Sequence, residues 1–165
     1  MLAWQGAYRG QLPDDHLENL SVERLTGFWR TTVEAQPDSG QMCLVLAQGE
    51  RLTGFAQLGP SRDADATGRT GEVEAINLRP ESWGAGRGQL LMAASLSWLR
   101  AAGFDRATLW VLTTNERAQR FYEAGGWTAD GREKADQIGG ARIVEVRYAR
   151  ELAPGESRAE DPVSG

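Results

Sequence analysis

The chain has 165 residues, 41% of them hydrophobic, with six Trp, one Cys, one His and a formal net charge of −5. This fits one domain with a real core, and no apolar run approaches the ~20 residues of a membrane-spanning helix. One Cys and one His give little support to a disulfide framework, a zinc site or a His-dependent triad, and the acidic balance does not fit nucleic-acid binding as the main task.

Chemistry is therefore expected from carboxylates, hydroxyls and backbone amides, with no metal. The sequence opens without a signal-peptide apolar segment, so a cytoplasmic protein is expected. His16 lies in a polar stretch and reads as a surface residue.

In chain order, Leu17, Leu20, Leu25, Phe28, Trp29 and Val33 recur at helical spacing and Pro37 ends the run, so residues 15–36 are expected to be mostly helical. Gln41–Ala47 and Leu52–Leu58 flank Gln48-Gly49-Glu50 and read as a hairpin, with Cys43 a buried structural residue in its first arm. Gly59 to Gly71 is polar and punctuated by glycine, a loop. "GEVEAINL" alternates as a strand, with Val73, Ala75 and Asn77 on one face and Glu72, Glu74, Ile76 and Leu78 on the other.

Beyond Pro80, Leu91, Ala94, Ser95, Trp98 and Ala102 form the apolar stripe of a helix that Gly103 caps. "RATLWVLT" is a strand buried on both faces, and Asn115 can cap a helix running to about Glu123 and ended by Gly125-Gly126. Trp127 begins a short strand, "GREKADQIGG" reads as a loop, and "RIVEVRYARE" alternates as the last strand. From Ala153 onward Pro, Gly, Ser and acids predominate, so residues 153–165 are expected to form a disordered acidic tail behind one domain of residues 1–152. The fold class is mixed α/β (α+β).

Gly84, Gly86 and Gly88 stand directly in front of the central helix. Residues without Cβ let backbone N–H groups approach a ligand, and the helix start adds partial positive charge, which together make an anion site. No Lys-Ser or Lys-Thr follows, and the spacing is G-x-G-x-G, so neither a Walker loop nor a dinucleotide fingerprint is present.

Three segments in order carry a resemblance to the GNAT superfamily of N-acetyltransferases. "GEVEAINLRPESWGAGRGQLL" resembles that family's fourth strand and pyrophosphate loop, "RATLWVLTTN" its fifth strand, and "NERAQRFYEAGGW" its N-x-x-A-x-x-F-Y-x-x-x-G-[FW] helix. The family's loop usually begins with Gln or Arg, where this chain has Trp83. The family's first strand and the start of its first helix have no counterpart: either the chain start is misplaced or this is a shortened version, whose Gln41–Ala47 strand would then be an apolar edge open to aggregation or homodimer pairing.

The resemblance implies a mostly antiparallel mixed sheet flanked by helices, with the first strand absent, and acetyl-CoA as co-substrate. Gly84, Ala85, Gly86, Arg87, Gly88 and Gln89 would hold the pyrophosphate through their amides, and Ile76, Asn77 and Leu78 would pair with the pantetheine arm, Leu78 also donating to the thioester oxygen. Asn115 would contact the pantetheine, cap its own helix, or do both. Tyr122 would touch the cofactor and protonate the leaving thiolate.

A lysine-like amine costs about 4.6 kcal/mol to deprotonate at pH 7, so a general base is expected, and Glu72 or Glu74 fits that position. Trp83, Trp110 and Trp127 read as packing residues. The acceptor wall is expected from Trp4, Tyr8 and Trp29 and from the segment around Lys134. The reading is an N-acetyltransferase that moves acetyl to a primary amine, on a small molecule or a protein, by direct attack in a ternary complex. The alternative is a non-catalytic CoA-binding or interaction module of the same fold.

Overall fold

The computed structural model describes residues 40–138 and 141–152. The early helices with Trp4, Tyr8 and Trp29, the expected absence of a first strand and the expected acidic tail all concern residues outside these.

The hairpin forms as expected: β1 (Met42–Gln48) and β2 (Arg51–Pro60) turn at Gly49-Glu50. The strand β3 (Thr70–Leu78) follows, then a single turn at Pro80–Ser82 and the helix α1 (Arg87–Ala101). Next come β4 (Arg106–Leu112), the helix α2 (Glu116–Ala124), β5 (Thr128–Ile138) and β6 (Ala141–Glu151). The strands make one mixed sheet in the order β1-β2-β3-β4-β6-β5, in which β3 and β4 are parallel and the other neighbours antiparallel.

Cross-strand partners share a face, which fixes the two sides of the sheet. Gly54, Ala56 and Leu58 on β2 pair with Leu78, Ile76 and Val73 on β3. The register slips at Glu74, a β-bulge, so Val73, Ile76 and Leu78 all face the same way. The uninterrupted alternation read from the sequence is thus corrected. Ile76 and Leu78 leave the face of Glu72, while Ala75 and Asn77 join it, because Gly59 pairs with Glu72, Gln57 with Ala75 and Phe55 with Asn77.

The helix α1 lies across β1, β2 and β3, and its face of the sheet holds the core: Leu58, Val73, Leu99, Leu109 and Tyr148 are all within 3% of complete burial. Gly71 allows the close approach, since a Cβ there would stand 2.7 Å from Leu99 Cδ2. The stripe of α1 is also rotated from expectation: it buries Leu91, Met92, Ser95, Leu96 and Leu99, while Ala94 and Ala102 are exposed. Ser95 satisfies its hydroxyl by donating to the Leu91 carbonyl at 2.8 Å.

Gly103 does end α1. Its N–H reaches Arg100 O and that of Phe104 reaches Leu99 O, the paired bonds of a Schellman cap. A third difference concerns residues 131–138, expected as loop and found inside β5. Residues 131–137 are exposed and mostly polar, and the strand pairs only with β6, so they carry no apolar alternation to reveal it. Among the described residues, no helix is long and apolar enough to cross a membrane.

Candidate functional site

The sheet opens between β3 and β4. They pair only over Thr70–Glu72 and Arg106–Thr108, then part. A cleft of about 510 Å³ fills the gap, walled by Ile76, Asn77 and Leu78 on one side and Trp110, Val111 and Leu112 on the other. The edge of β3 there is not paired with β4 and faces the cleft. Arg79 N–H donates to Thr53 O on β2 at 2.9 Å, and successive amides of a strand alternate direction, so the Leu78 N–H points into the cleft.

At one end the cleft meets the glycine loop, with Gly84, Gly86, Gly88 and Gln89 in its lining. Gly84 and Gly86 adopt φ of 76° and 72°, a left-handed backbone that other residues rarely take. The amides of Arg87, Gly88 and Gln89 form the first turn of α1, where no helical carbonyl stands behind them. Ala85 is exposed on the loop, and the Arg87 side chain turns away to donate to Gln48 Oε1 at 2.9 Å.

The far wall comes from α2. Asn115 Oδ1 accepts from Ala118 N–H at 3.1 Å, so Asn115 caps the helix and also lines the cleft. At the other end Gly126 N–H reaches Glu123 O and Trp127 N–H reaches Tyr122 O, again a Schellman cap. Trp127 is 2% exposed and packs edge-on to Tyr122 with ring centres 6.3 Å apart. These caps account for the Asn, Gly and Trp of the helix motif. Tyr122 is thereby fixed, 8% exposed, between Phe121, Trp127 and Tyr148, and it lines the cleft. Tyr148, behind it, donates to Glu123 Oε1 at 2.8 Å; burial foremost, then that carboxylate, pushes its phenol up to about 12.

Two tryptophans expected only to pack stand in the cleft wall instead. Trp83 donates to Leu78 O at 3.1 Å, and the guanidinium of Arg117 stacks on its ring, 3.3 Å from the centre. Arg117, absent from the sequence reading, also lines the cleft, and it makes no ion pair among the described residues. Burial lowers its tendency to hold charge. A cation in the first turn of α2 opposes the helix dipole, and that oddity was the available signal. Glu145 is the second residue missed; nothing in its local sequence marks it.

Glu72 and Glu74 do not line the cleft. Both lie on the sheet face opposite α1. Glu74 accepts from Gln41 Nε2 at 2.9 Å and Arg62 Nη2 at 3.4 Å, and Glu72 accepts from Arg62 N–H at 3.4 Å. Burial, then the Asp63 carboxylate, raises the Glu72 carboxyl above its ordinary range.

That face is tied together by Arg147, whose side chain is 6% exposed and pairs with Asp63, Asp65 and Asp130 at 2.7–2.9 Å. The guanidinium holds Asp65 well below the usual carboxylate range. A bulge in β5 between Ala129 and Glu133 carries Asp130 to this cluster. Trp110 joins it by donating to Asp63 Oδ1 at 3.1 Å, and Lys134 lies over the Trp110 ring at 4.4 Å.

The chain matches the family model described as "Acetyltransferase (GNAT) family" over residues 4–127. It is 41% identical over 68 residues to a mycothiol acetyltransferase from Thermobispora bispora, covering 39% of this chain and 23% of the relative. With one from Acidimicrobium ferrooxidans it shares 35% over 89 residues, covering 53% and 28%. It thus spans only about a quarter of the length of these curated relatives.

Among solved structures it resembles PaiA N-acetyltransferase from Thermoplasma acidophilum in complex with coenzyme A, with a TM-score of 0.70 at 18% identity over 91% of this chain and 86% of that one. It also resembles yncA from Salmonella typhimurium with its cofactor acetyl-CoA, with a TM-score of 0.67 at 22% identity over 83% and 78%. At these identities the likeness is one of fold, the mixed sheet flanked by helices described above. By its family match over more than half its length, the chain belongs to the acetyltransferase (GNAT) family.

Proposed function

We propose that this chain is an acetyl-CoA-dependent N-acetyltransferase that moves the acetyl group to a primary amine by direct attack in a ternary complex. The observation that carries the reading is the parted sheet, a cleft with a strand edge that β4 leaves unpaired on one wall and a glycine loop and helix start at its end. These residues fit the donor. The edge at Ile76–Leu78 matches an amide-bearing pantetheine arm in strand-like pairing, and the amides of residues 84–89 match a pyrophosphate. Hydrogen bonds to such a charged group are worth roughly 1.5–3 kcal/mol each. We assign Arg117 to the same phosphate group, held in place by Trp83, which stands at the loop position where the family has Gln or Arg.

In this reading the Leu78 amide donates to the thioester oxygen as it gains charge, and Tyr122 gives its proton to the departing sulfur. The base is assigned to the face opposite α1, with Glu72 preferred for its raised carboxyl, acting through water because its side chain lies outside the cleft lining. That same separation favours the second reading, a module that binds coenzyme A without turnover. The relatives' name, mycothiol acetyltransferase, makes a small-molecule amine the first acceptor class to test.

The test is calorimetric titration with acetyl-CoA, then turnover on a panel of amines. One-to-one binding is expected, with at least a hundredfold loss in Gly86→Glu, which sets a carboxylate against phosphate and forces a left-handed backbone on a side chain. Unchanged affinity in a folded Gly86→Glu variant would sink the loop assignment, and binding with no turnover on any amine would favour the second reading.

A further inference from the structure

Lys134 is the only lysine in the sequence. It sits on β5 directly across from Glu145 of β6, and its Nζ lies 3.2 Å from Glu145 Oε2 and 4.4 Å from the centre of the Trp110 ring. Glu145 and Trp110 both line the cleft. A carboxylate beside an aromatic face is a site for an ammonium group, through an ion pair and a cation–π contact. The protein has thus built such a site into the wall of its own cleft and filled it with a primary amine. That amine belongs to the chemical class the cleft acts on.

Resting on the acetyltransferase reading above, we propose that Lys134 is a self-modification site, acetylated on Nζ by acetyl-CoA bound in the cleft of the same chain. The step balances without a further reagent. The Lys134 ammonium passes one proton to Glu145 and on to solvent, and the amine attacks the thioester carbonyl. The new C–N bond forms as the C–S bond breaks, and the second nitrogen proton is matched by protonation of the departing sulfur. The products are Nζ-acetyl-Lys134 and free coenzyme A. Lys134 itself stands just outside the cleft lining; its side chain is 47% exposed, and the step requires its ammonium to leave Glu145 and the Trp110 ring. Acetylation removes the charge and breaks both contacts, which leaves Glu145 without its cation at the cleft wall and available to the ammonium of an incoming acceptor.

The experiment is incubation of the purified chain with acetyl-CoA, followed by intact-protein mass spectrometry and peptide mapping. The expected result is one acetyl group on the peptide that carries Lys134. It should form at a rate per chain independent of protein concentration and be lost under saturating free coenzyme A. Mapping separates it from acetylation of an N-terminal amine.

Calorimetric titration of the same sample with acetyl-CoA distinguishes two failures. Binding without an acetyl group on Lys134 overturns the proposal and leaves the acetyl-CoA reading intact, whereas no binding by the folded chain overturns both. Acetylation that excess coenzyme A does not suppress, or that the urea-unfolded chain shows at the same rate, is uncatalysed chemistry and overturns the proposal as well.

Discussion

The two faces of this sheet are built by different means. At α2, the caps that position Asn115 and Tyr122 in the cleft are short in sequence. Asn115 caps a helix three residues ahead, and Gly126 and Trp127 close the same helix on Glu123 and Tyr122. On the opposite face the organising contacts are long. Arg147 reaches Asp63 and Asp65 across 84 and 82 residues, and Trp110 reaches Asp63 across 47. A wall made of local motifs keeps its shape wherever the motifs are present. A face tied by distant ion pairs exists only once the whole sheet has formed, and it can change its charges without disturbing the caps. In the function proposed above, donor chemistry falls to the first kind of construction, and the acceptor's base to the second.

The largest test of that division is Tyr122→Phe. The ring packing against Phe121, Trp127 and Tyr148 survives the change, while the hydroxyl proposed as the proton donor is lost. Turnover on an amine substrate is expected to fall by about 10²–10⁴, with acetyl-CoA affinity nearly unchanged by calorimetry. Equal turnover would mean that the sulfur leaves without help from this wall. Next comes Arg147→Ala, which takes the shared cation from Asp63, Asp65 and Asp130 and leaves Asp63 with Trp110 and Asp130 with Arg106. Removing one partner of such a buried cluster costs about 3 kcal/mol, read as a fall in urea unfolding midpoint. Donor binding by the remaining folded fraction should persist, and a parallel loss of acetyl-CoA affinity would show that the two faces are not independent.

The same contrast decides what could be read in advance. The caps, the hairpin turn and the glycine loop were legible because each is a short pattern with a local physical cause. The face assignment of β3 was not, since the bulge at Glu74 is defined by its pairing with β2 and reverses the alternation beyond it. Ile76 and Leu78 therefore changed sides while their sequence pattern stayed strand-like. The strand at residues 131–138 was missed because a polar edge strand has no buried face to imprint a period. Trp110 and Glu145 became site residues only when β4 parted from β3 and β6 supplied the neighbouring wall. The tryptophans illustrate the limit well: Trp127 packs as expected, but Trp83 and Trp110 have the same composition-level signature and stand in the cleft.

Arg117 sharpens the donor side further. Arg117→Ala removes a guanidinium that lies over Trp83 beside the glycine loop. Its loss is expected to weaken acetyl-CoA binding about tenfold, near 1.4 kcal/mol, and to leave binding of S-acetyl-pantetheine, which lacks the pyrophosphate, unchanged. Equal losses for both ligands would make Arg117 a support for Trp83 rather than a phosphate contact.

The smallest effect lies on the far face, at Glu72. Its carboxyl is raised in the fold, by burial first and by Asp63 next, above the ordinary 4.5. The folded environment therefore favours the protonated form. That preference stabilises the fold below pH 4.5 and is lost as the pH rises through the raised folded value, so at neutral pH the ionised carboxylate is a cost. Glu72→Gln removes that cost. Stability at pH 7 is expected to stay level or rise by less than about 1 kcal/mol, with the gain shrinking toward pH 4 in urea titrations at both values. A clear loss at pH 7 would mean that the ionised form is held by partners stronger than its contact with Arg62. The same variant reports on catalysis independently of stability. If Glu72 takes the acceptor's proton through water, the variant's rate falls and the acidic limb of the pH–rate profile that tracks this raised carboxyl disappears. If the limb persists with Glu72 gone, the base is another group, and the face opposite α1 supplies the acceptor's setting without its chemistry.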